Sequence, residues 1–214
     1  MYHVKEAFYS LQGEGARAGR ASVFCRFSGC NLWSGREQDR ASAACRFCDT
    51  DFIGTDGQQG GRFADADALS THLSALWPNQ DGLAKPYVVF TGGEPLLQLD
   101  EALIGAMHSR GFEVAVETNG TLPAPAGIDW LCVSPKSSTP LALTSGDELK
   151  LVYPQAEALP ERFIDLDFRY HFLQPMDTTP LIDAADHRDA TVAYCLAHPQ
   201  WRLSLQTHKI TGID

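Results

Sequence analysis

Three cysteines fall close together in CNLWSGREQDRASAACRFC: Cys30, then fourteen residues, then the C-x2-C pair Cys45 and Cys48. Their thiolates would be metal or cluster ligands. A structural zinc ion takes four protein donors, and a C-x2-C pair is half of such a set. No second pair and no close histidine pair lies nearby, so Asp49 or a distant histidine would have to complete it. Three thiolates also suit a four-iron cluster that keeps one iron open for chemistry. The remaining cysteines, Cys25, Cys132 and Cys195, lie in apolar runs and are expected as core residues.

A second candidate stretch is TGGEP, Thr91–Pro95, directly after the apolar run YVVF. Its two glycines would let the backbone approach a ligand closely, and Glu94 could accept from an ammonium or a hydroxyl. Taken alone, it is a tight glycine turn into a helix.

Residues so far apart in sequence need a scaffold to bring them together. β-Rich runs occur at 22–27, 87–90, 112–118, 130–134, 149–153, 170–174 and 202–206. Helical spacing runs through ADALSTHLSALW, with Leu69, Leu73, Leu76 and Trp77 on one face. It recurs in DEALIGAMHSRG, where Asp100 is the N-cap, Leu103, Ile104 and Met107 share a face, and Gly111 is the stop. A third helix is expected in LIDAADHRDATVAYCLAH, residues 181–198. Residues 49–68, rich in Gly, Asp and Gln, are expected as a surface loop. This alternation predicts an α/β fold, a curved or open, mostly parallel sheet with helices on its outer face, and places the site at the strands' C-terminal ends.

The chain has 214 residues, 44% of them hydrophobic, enough for one soluble globular domain spanning 1–214. A net charge of −10 argues against nucleic acid or an anionic membrane as the main partner. No signal peptide is visible in MYHVKEAFYS, and no apolar run approaches a membrane span, so a cytoplasmic location with reduced cysteines is expected.

Together, the three cysteines, an aromatic residue before the last of them (Phe47) and the GGEP stretch resemble the radical S-adenosylmethionine superfamily. The usual first gap there is three residues; here it is fourteen, making 31–44 an insertion in the cluster loop. Lengthening the loop costs only about 1.4 kcal/mol of closure entropy, which cluster ligation readily offsets. FYSLQGEG (Phe8–Gly15), CDT (Cys48–Thr50), ETNG (Glu117–Gly120), SPK (Ser134–Lys136) and QTHK (Gln206–Lys209) narrow the resemblance to 7-carboxy-7-deazaguanine synthases.

That resemblance implies a single radical S-adenosylmethionine domain built as a partial, open (β/α) barrel. It implies a lyase that contracts the ring of 6-carboxy-5,6,7,8-tetrahydropterin to 7-carboxy-7-deazaguanine with loss of ammonia, in queuosine and other 7-deazapurine biosynthesis. Cys30, Cys45 and Cys48 would hold a 4Fe-4S cluster, whose open iron binds S-adenosylmethionine and whose electron cleaves it to a carbon radical. The chemistry resides there, and no side chain is assigned as catalytic. Thr50 would contact Mg2+. Phe47, Gly93, Ser134 and Lys136 would meet S-adenosylmethionine, and Glu117 would bind its ribose or cap a turn. For the substrate, Arg26 would fork the carboxylate, Gln12 and Glu14 would read the amino-pyrimidine edge, and Thr91, Gln174 and His208 would complete the pocket. His208 could equally be structural. The resemblance further implies an electron donor such as flavodoxin or ferredoxin, and a homodimer. The runner-up is an activase that generates a glycyl radical on a partner protein. Within the insertion, Trp33 would either cover the cluster or anchor the loop on the core.

Overall fold

The computed structural model describes residues 1–78, 82, 84–177 and 187–213. Their strands are β1 (Tyr2–Leu11), β2 (Ala21–Phe27), β3 (Gly61–Phe63), β4 (Tyr87–Gly92), β5 (Glu113–Thr118), β6 (Trp130–Val133), β7 (Ser145–Tyr153), β8 (Asp167–Pro175) and β9 (Arg202–Leu203). The helices are α1 (Ala66–Leu76), α2 (Glu101–Ser109), α3 (His187–Ala197) and α4 (Thr207–Thr211). One open sheet runs β3-β1-β2-β4-β5-β6-β7-β8-β9. Its first three strands pair antiparallel, and every pairing from β2–β4 onward is parallel.

The two faces of the strands do different work. Val88 and Phe90 of β4 point outward, into a core with Leu69 and Leu73 of α1 and Leu103, Ile104 and Met107 of α2. Tyr87 and Val89 point the other way and pack with Ala115 and Trp130. On β7, Leu149 and Leu151 join an outer core that includes Leu173 and Trp201, with Tyr194 and Cys195 of α3 packed against it. The intervening Lys150 and Val152 line a cavity on the inner side. Both helices predicted in full start at an aspartate cap: Asp65 accepts from Ala68 N and Asp100 from Leu103 N, each at 2.9 Å, worth about 1 kcal/mol apiece. Gly111 closes α2 at φ +82°.

Three expectations need correction. β1 was not anticipated, because a bulge between Val4 and Glu6 breaks the alternation by which a strand is recognised. Residues 49–68 are not all loop: they contain β3 and the first turn of α1. The last strand ends at Leu203 rather than Gln206, because Ser204 turns inward to accept from Gly15 N at 2.9 Å. Residues 181–186 of the third expected helix lie outside the described residues; 187–197 are helical.

Candidate active site

The inner ends of the strands surround a cavity of about 480 Å3, within the range of small-molecule sites. Of the fifteen residues singled out from sequence, fourteen line it: Gln12, Glu14, Arg26, Cys45, Phe47, Cys48, Thr50, Thr91, Gly93, Glu117, Ser134, Lys136, Gln174 and His208. Cys30 lies just behind the wall, next to Gly93. A Cβ on Gly93 would come within 2.3 Å of the Gly29 carbonyl oxygen and 2.7 Å of Cys30 Cβ. Glycine there is what lets the end of β4 lie against the first cysteine.

Two of the thiols, Cys45 and Cys48, line the cavity directly. Cys45 donates to Cys48, which holds the Cys48 thiol down at about 6 against the opposing effect of burial, and pushes Cys45 up. Cys30 accepts from Leu32 N at 3.4 Å, and its thiol is raised mainly by burial. Cys30 and Cys48 pack against a small separate core of Trp33, Ala43 and Phe52. Trp33 holds the insertion edge-on against Phe52, at 5.6 Å between ring centroids, in this small core against which Cys30 and Cys48 pack. Arg40, in the 3-10 turn Glu37–Ser42, stacks over Trp33 at 4.1 Å and donates to the carbonyls of Arg46 and Cys48 at 2.9 and 3.0 Å.

This donor set suits an iron–sulfur cluster. Two thiols line the cavity and the third lies just behind its wall, Cys30 and Cys48 pack against apolar side chains, and the Lys136 charge is close enough to act on Cys45 and Cys48. Among the described residues, no three His, Cys, Asp or Glu are gathered closely enough to hold a single metal ion.

The same cavity is lined by a polar group that sequence reasoning found only in part. Glu14 accepts from Gln174 and Gln206, both at 3.1 Å, and from Lys150. Burial would push the Glu14 carboxyl up, but Lys150 outweighs it and holds the group at about 2. Lys150 also lies 3.4 Å from Glu117, which accepts from Gln12 at 2.9 Å. Glu117, expected at a ribose, is thus tied to Gln12 and Lys150. Lys150 and Gln206 were not singled out as site residues. The available signal for Lys150 was its place in LKLVY, a lysine flanked by leucines that face the outer core.

The rim and walls are set by contacts between distant segments. Arg26, paired in register with Thr91 across β2–β4, donates Nε to Glu6 at 2.8 Å. Lys136 donates to Ser134 at 2.5 Å. Thr207 holds the Gly13 carbonyl with its backbone N at 3.0 Å and its hydroxyl at 2.8 Å, and His208 packs on Gly13. Thr50 lies beside Asp49, which pairs with Lys209 at 2.6 Å. Asn31 and Asn119, 2.9 Å apart, join the Cys30 loop to ETNG. Glu94 differs from expectation: it is fully buried, its acceptors are taken by the protein's own groups, and it does not line the cavity.

No protein-family model matches the chain. A protein of Bordetella pertussis named 7-carboxy-7-deazaguanine synthase is 65% identical over 212 residues, spanning 99% of each chain. One of the same name from Caulobacter vibrioides is 62% identical over the same span. The crystal structure of QueE from Escherichia coli superposes with a TM-score of 0.68 at 26% identity, covering 95% of this chain and 93% of that one. Relatives this similar along the whole length place the chain, with its three-thiol cavity, in the 7-carboxy-7-deazaguanine synthase family of radical S-adenosylmethionine enzymes.

Proposed function

We propose that the chain converts 6-carboxy-5,6,7,8-tetrahydropterin to 7-carboxy-7-deazaguanine, releasing ammonia, as a step in queuosine and related 7-deazapurine synthesis. The observation that carries this reading is the lining of one cavity, which brings together the thiols of Cys45 and Cys48, the carboxylates and amides of Glu14, Glu117, Gln12 and Gln174, and the Arg26 guanidinium. Such a lining suits a small ring with an anionic substituent better than a peptide backbone, so it favours ring contraction over a glycyl-radical activase.

Cys30, Cys45 and Cys48 would hold the 4Fe-4S cluster, which with S-adenosylmethionine supplies the carbon radical that opens the reaction. The protein's own residues orient the two ligands. Arg26, aimed by its bond to Glu6, presents a guanidinium to the substrate carboxylate. Gln12 and Glu14 read the amino-pyrimidine edge, and Gln174, Thr91 and His208 complete the walls. Gly93 and the backbone around Phe47 offer contacts to S-adenosylmethionine, while Ser134, steadied by Lys136, faces its ribose and carboxylate. Holding both ligands rigidly turns the hydrogen abstraction into a step between neighbours.

We further assign Mg2+ to the Thr50 hydroxyl, with substrate oxygens and waters filling a hard octahedral shell. An electron donor such as flavodoxin or ferredoxin and a homodimeric state belong to the same reading. So does a cytoplasmic location, supported by six free cysteines; among the described residues no helix is long and apolar enough to cross a membrane.

The test is to incubate reconstituted, reduced protein anaerobically with S-adenosylmethionine, Mg2+ and the pterin, and to follow products by mass spectrometry. We expect 7-carboxy-7-deazaguanine. Formation of 5′-deoxyadenosine without it would move the substrate to the activase class. Neither product from protein holding its cluster would overturn the reading.

A further inference from the structure

Among the described residues, Lys150 is the lysine that meets Glu14. Its side chain is only 5% exposed, on the inner face of β7, and its ammonium contacts Glu14 on one side and Glu117 on the other. Burial alone would push such an amine down; Glu117 and Glu14 outweigh that and hold it charged. The two carboxylates come from opposite parts of the chain, the β1–β2 loop and the end of β5, so a single side chain spans the floor between them. Gln12 closes the ring: its amide donates to Glu117 at 2.9 Å and its carbonyl accepts from Glu14 N at 3.1 Å.

Counting lone pairs shows what this leaves for a ligand. A carboxylate offers about four acceptor sites. Glu14 uses one on Lys150 and two on Gln174 and Gln206; Glu117 uses two, on Gln12 and Lys150. Each keeps acceptor capacity. Protonation of Glu14 would turn an acceptor into a donor and lose the match to a ring edge bearing N–H groups.

We propose that Lys150 is a positioning residue for substrate recognition. Its ammonium fixes Glu14 as an ionised acceptor and sets it beside Glu117, so the site selects a neutral ring edge carrying adjacent N–H donors. This inference rests on the pterin reading above and adds the residue that sets its specificity. The groups facing Glu14 and Lys150 are Glu117 from β5, Cys132 from β6, Glu148 from β7 and His208 from α4. Of these, Glu148 accepts from Ala16 N at 2.9 Å, and its carboxyl is raised by burial. Only Lys150 supplies a permanent positive charge.

The test measures binding of 6-carboxypterin, by quenching of its fluorescence, to anaerobic cluster-loaded protein from roughly pH 5 to 7.5. In the wild type, affinity should hold constant to within threefold, because Glu14 stays ionised throughout. Lys150→Met should bind about a hundredfold more weakly at the acid end, the affinity recovering roughly tenfold as pH rises. Lys150→Arg should restore a flat profile. Adding Glu14→Gln to Lys150→Met should abolish the pH dependence, since the amide does not titrate. A flat profile with unchanged affinity in Lys150→Met would overturn the inference, as would an acid limb that persists without Glu14. Should Lys150→Met fail to fold, the wild type and Glu14→Gln suffice: an acid limb in the wild type that Glu14→Gln removes contradicts a carboxylate held ionised by Lys150. Failure of wild-type protein to bind the pterin at all would sink the functional reading as well, which distinguishes the two failures.

Discussion

Three donors converge on the Glu94 carboxylate: the Thr118 hydroxyl and Asn119 N, each at 2.7 Å, and Leu96 N at 2.9 Å. Glu94 itself donates its backbone N to the Gly29 carbonyl at 3.0 Å. The residue thus cross-links the end of β4, the end of β5 and the Cys30 loop, and its role is to brace the walls rather than to touch a ligand. Burial raises its carboxyl, so this brace costs desolvation that the three donors offset. Replacing Glu94 with Gln puts an amide NH2 where an acceptor is needed and leaves one buried N–H without a partner, at about 1–3 kcal/mol. For a chain of this size that lowers Tm by roughly 2–12 °C. Calorimetry should show that shift, with KM for S-adenosylmethionine unchanged within threefold. A raised KM at unaltered Tm would mean that Glu94 is a ligand contact after all.

The insertion 31–44 works as an element with its own small core and its own tie to the cluster loop. Arg40 is the tie: it pairs with Glu37, stacks over Trp33 and binds two carbonyls flanking the C-x2-C turn. No other described core depends on it, so Arg40→Ala should leave Tm within about 2 °C while letting the loop open more often. Losing about 1.4 kcal/mol of local stability corresponds to roughly tenfold faster iron release to a ferrous chelator. Arg40→Lys should restore only part of the retention: an ammonium can take the place of Nη1 at both carbonyls, but it loses the Nε contact with Glu37 and the planar stack on Trp33. Equal release rates in all three proteins would show that the loop is held by Trp33 and Phe52 alone. How far such elements were legible depended on periodicity. The helices from Asp65 and Asp100 carry their caps and apolar faces in plain sequence order, and the parallel strands announce themselves as apolar runs. β1 was hidden by its bulge and by Lys5, which points into a pair of aspartates, Asp51 and Asp56, each at 2.9 Å. The site was legible where motifs carry it, as at Cys45 or Glu14. It was not at Lys150, whose role exists only once β7 lies beside Glu117 and Glu14, 33 and 136 positions earlier in the chain.

At the scale of the whole molecule, the sheet is open, with β3 and β9 at its two ends, and the cavity needs a seal between the first hairpin and the last strand. The C-terminal segment provides it. Gln206 binds Glu14, Thr207 binds the Gly13 carbonyl twice, His208 packs on Gly13, and Lys209 bridges Asp49 and Asp177. The glycines make the approach possible: Gly15 adopts φ +64°, and a Cβ there would collide with Glu148 at 1.9 Å. Yet none of the four hydrophobic clusters includes a residue beyond Trp201. Seal and scaffold are therefore separable. A chain ending at Leu205 keeps Ser204 with its bonds to Gly15, Gln174 and Leu173 but loses the three bonds to the 13–14 loop, together with exposed ion pairs that contribute little. At about 1 kcal/mol per bond, Tm should fall by roughly 6–12 °C, with far-ultraviolet circular dichroism and iron content preserved. Pterin binding should be lost, because Glu14 loses one of its donors and the Gly13 loop its tether. If the shortened protein binds pterin as the full chain does, the seal is dispensable and the first hairpin is held by β2 and Ser204 alone. If it loses iron as well, the C-terminal segment supports the cluster loop through Lys209 and Asp49 rather than the substrate end of the cavity.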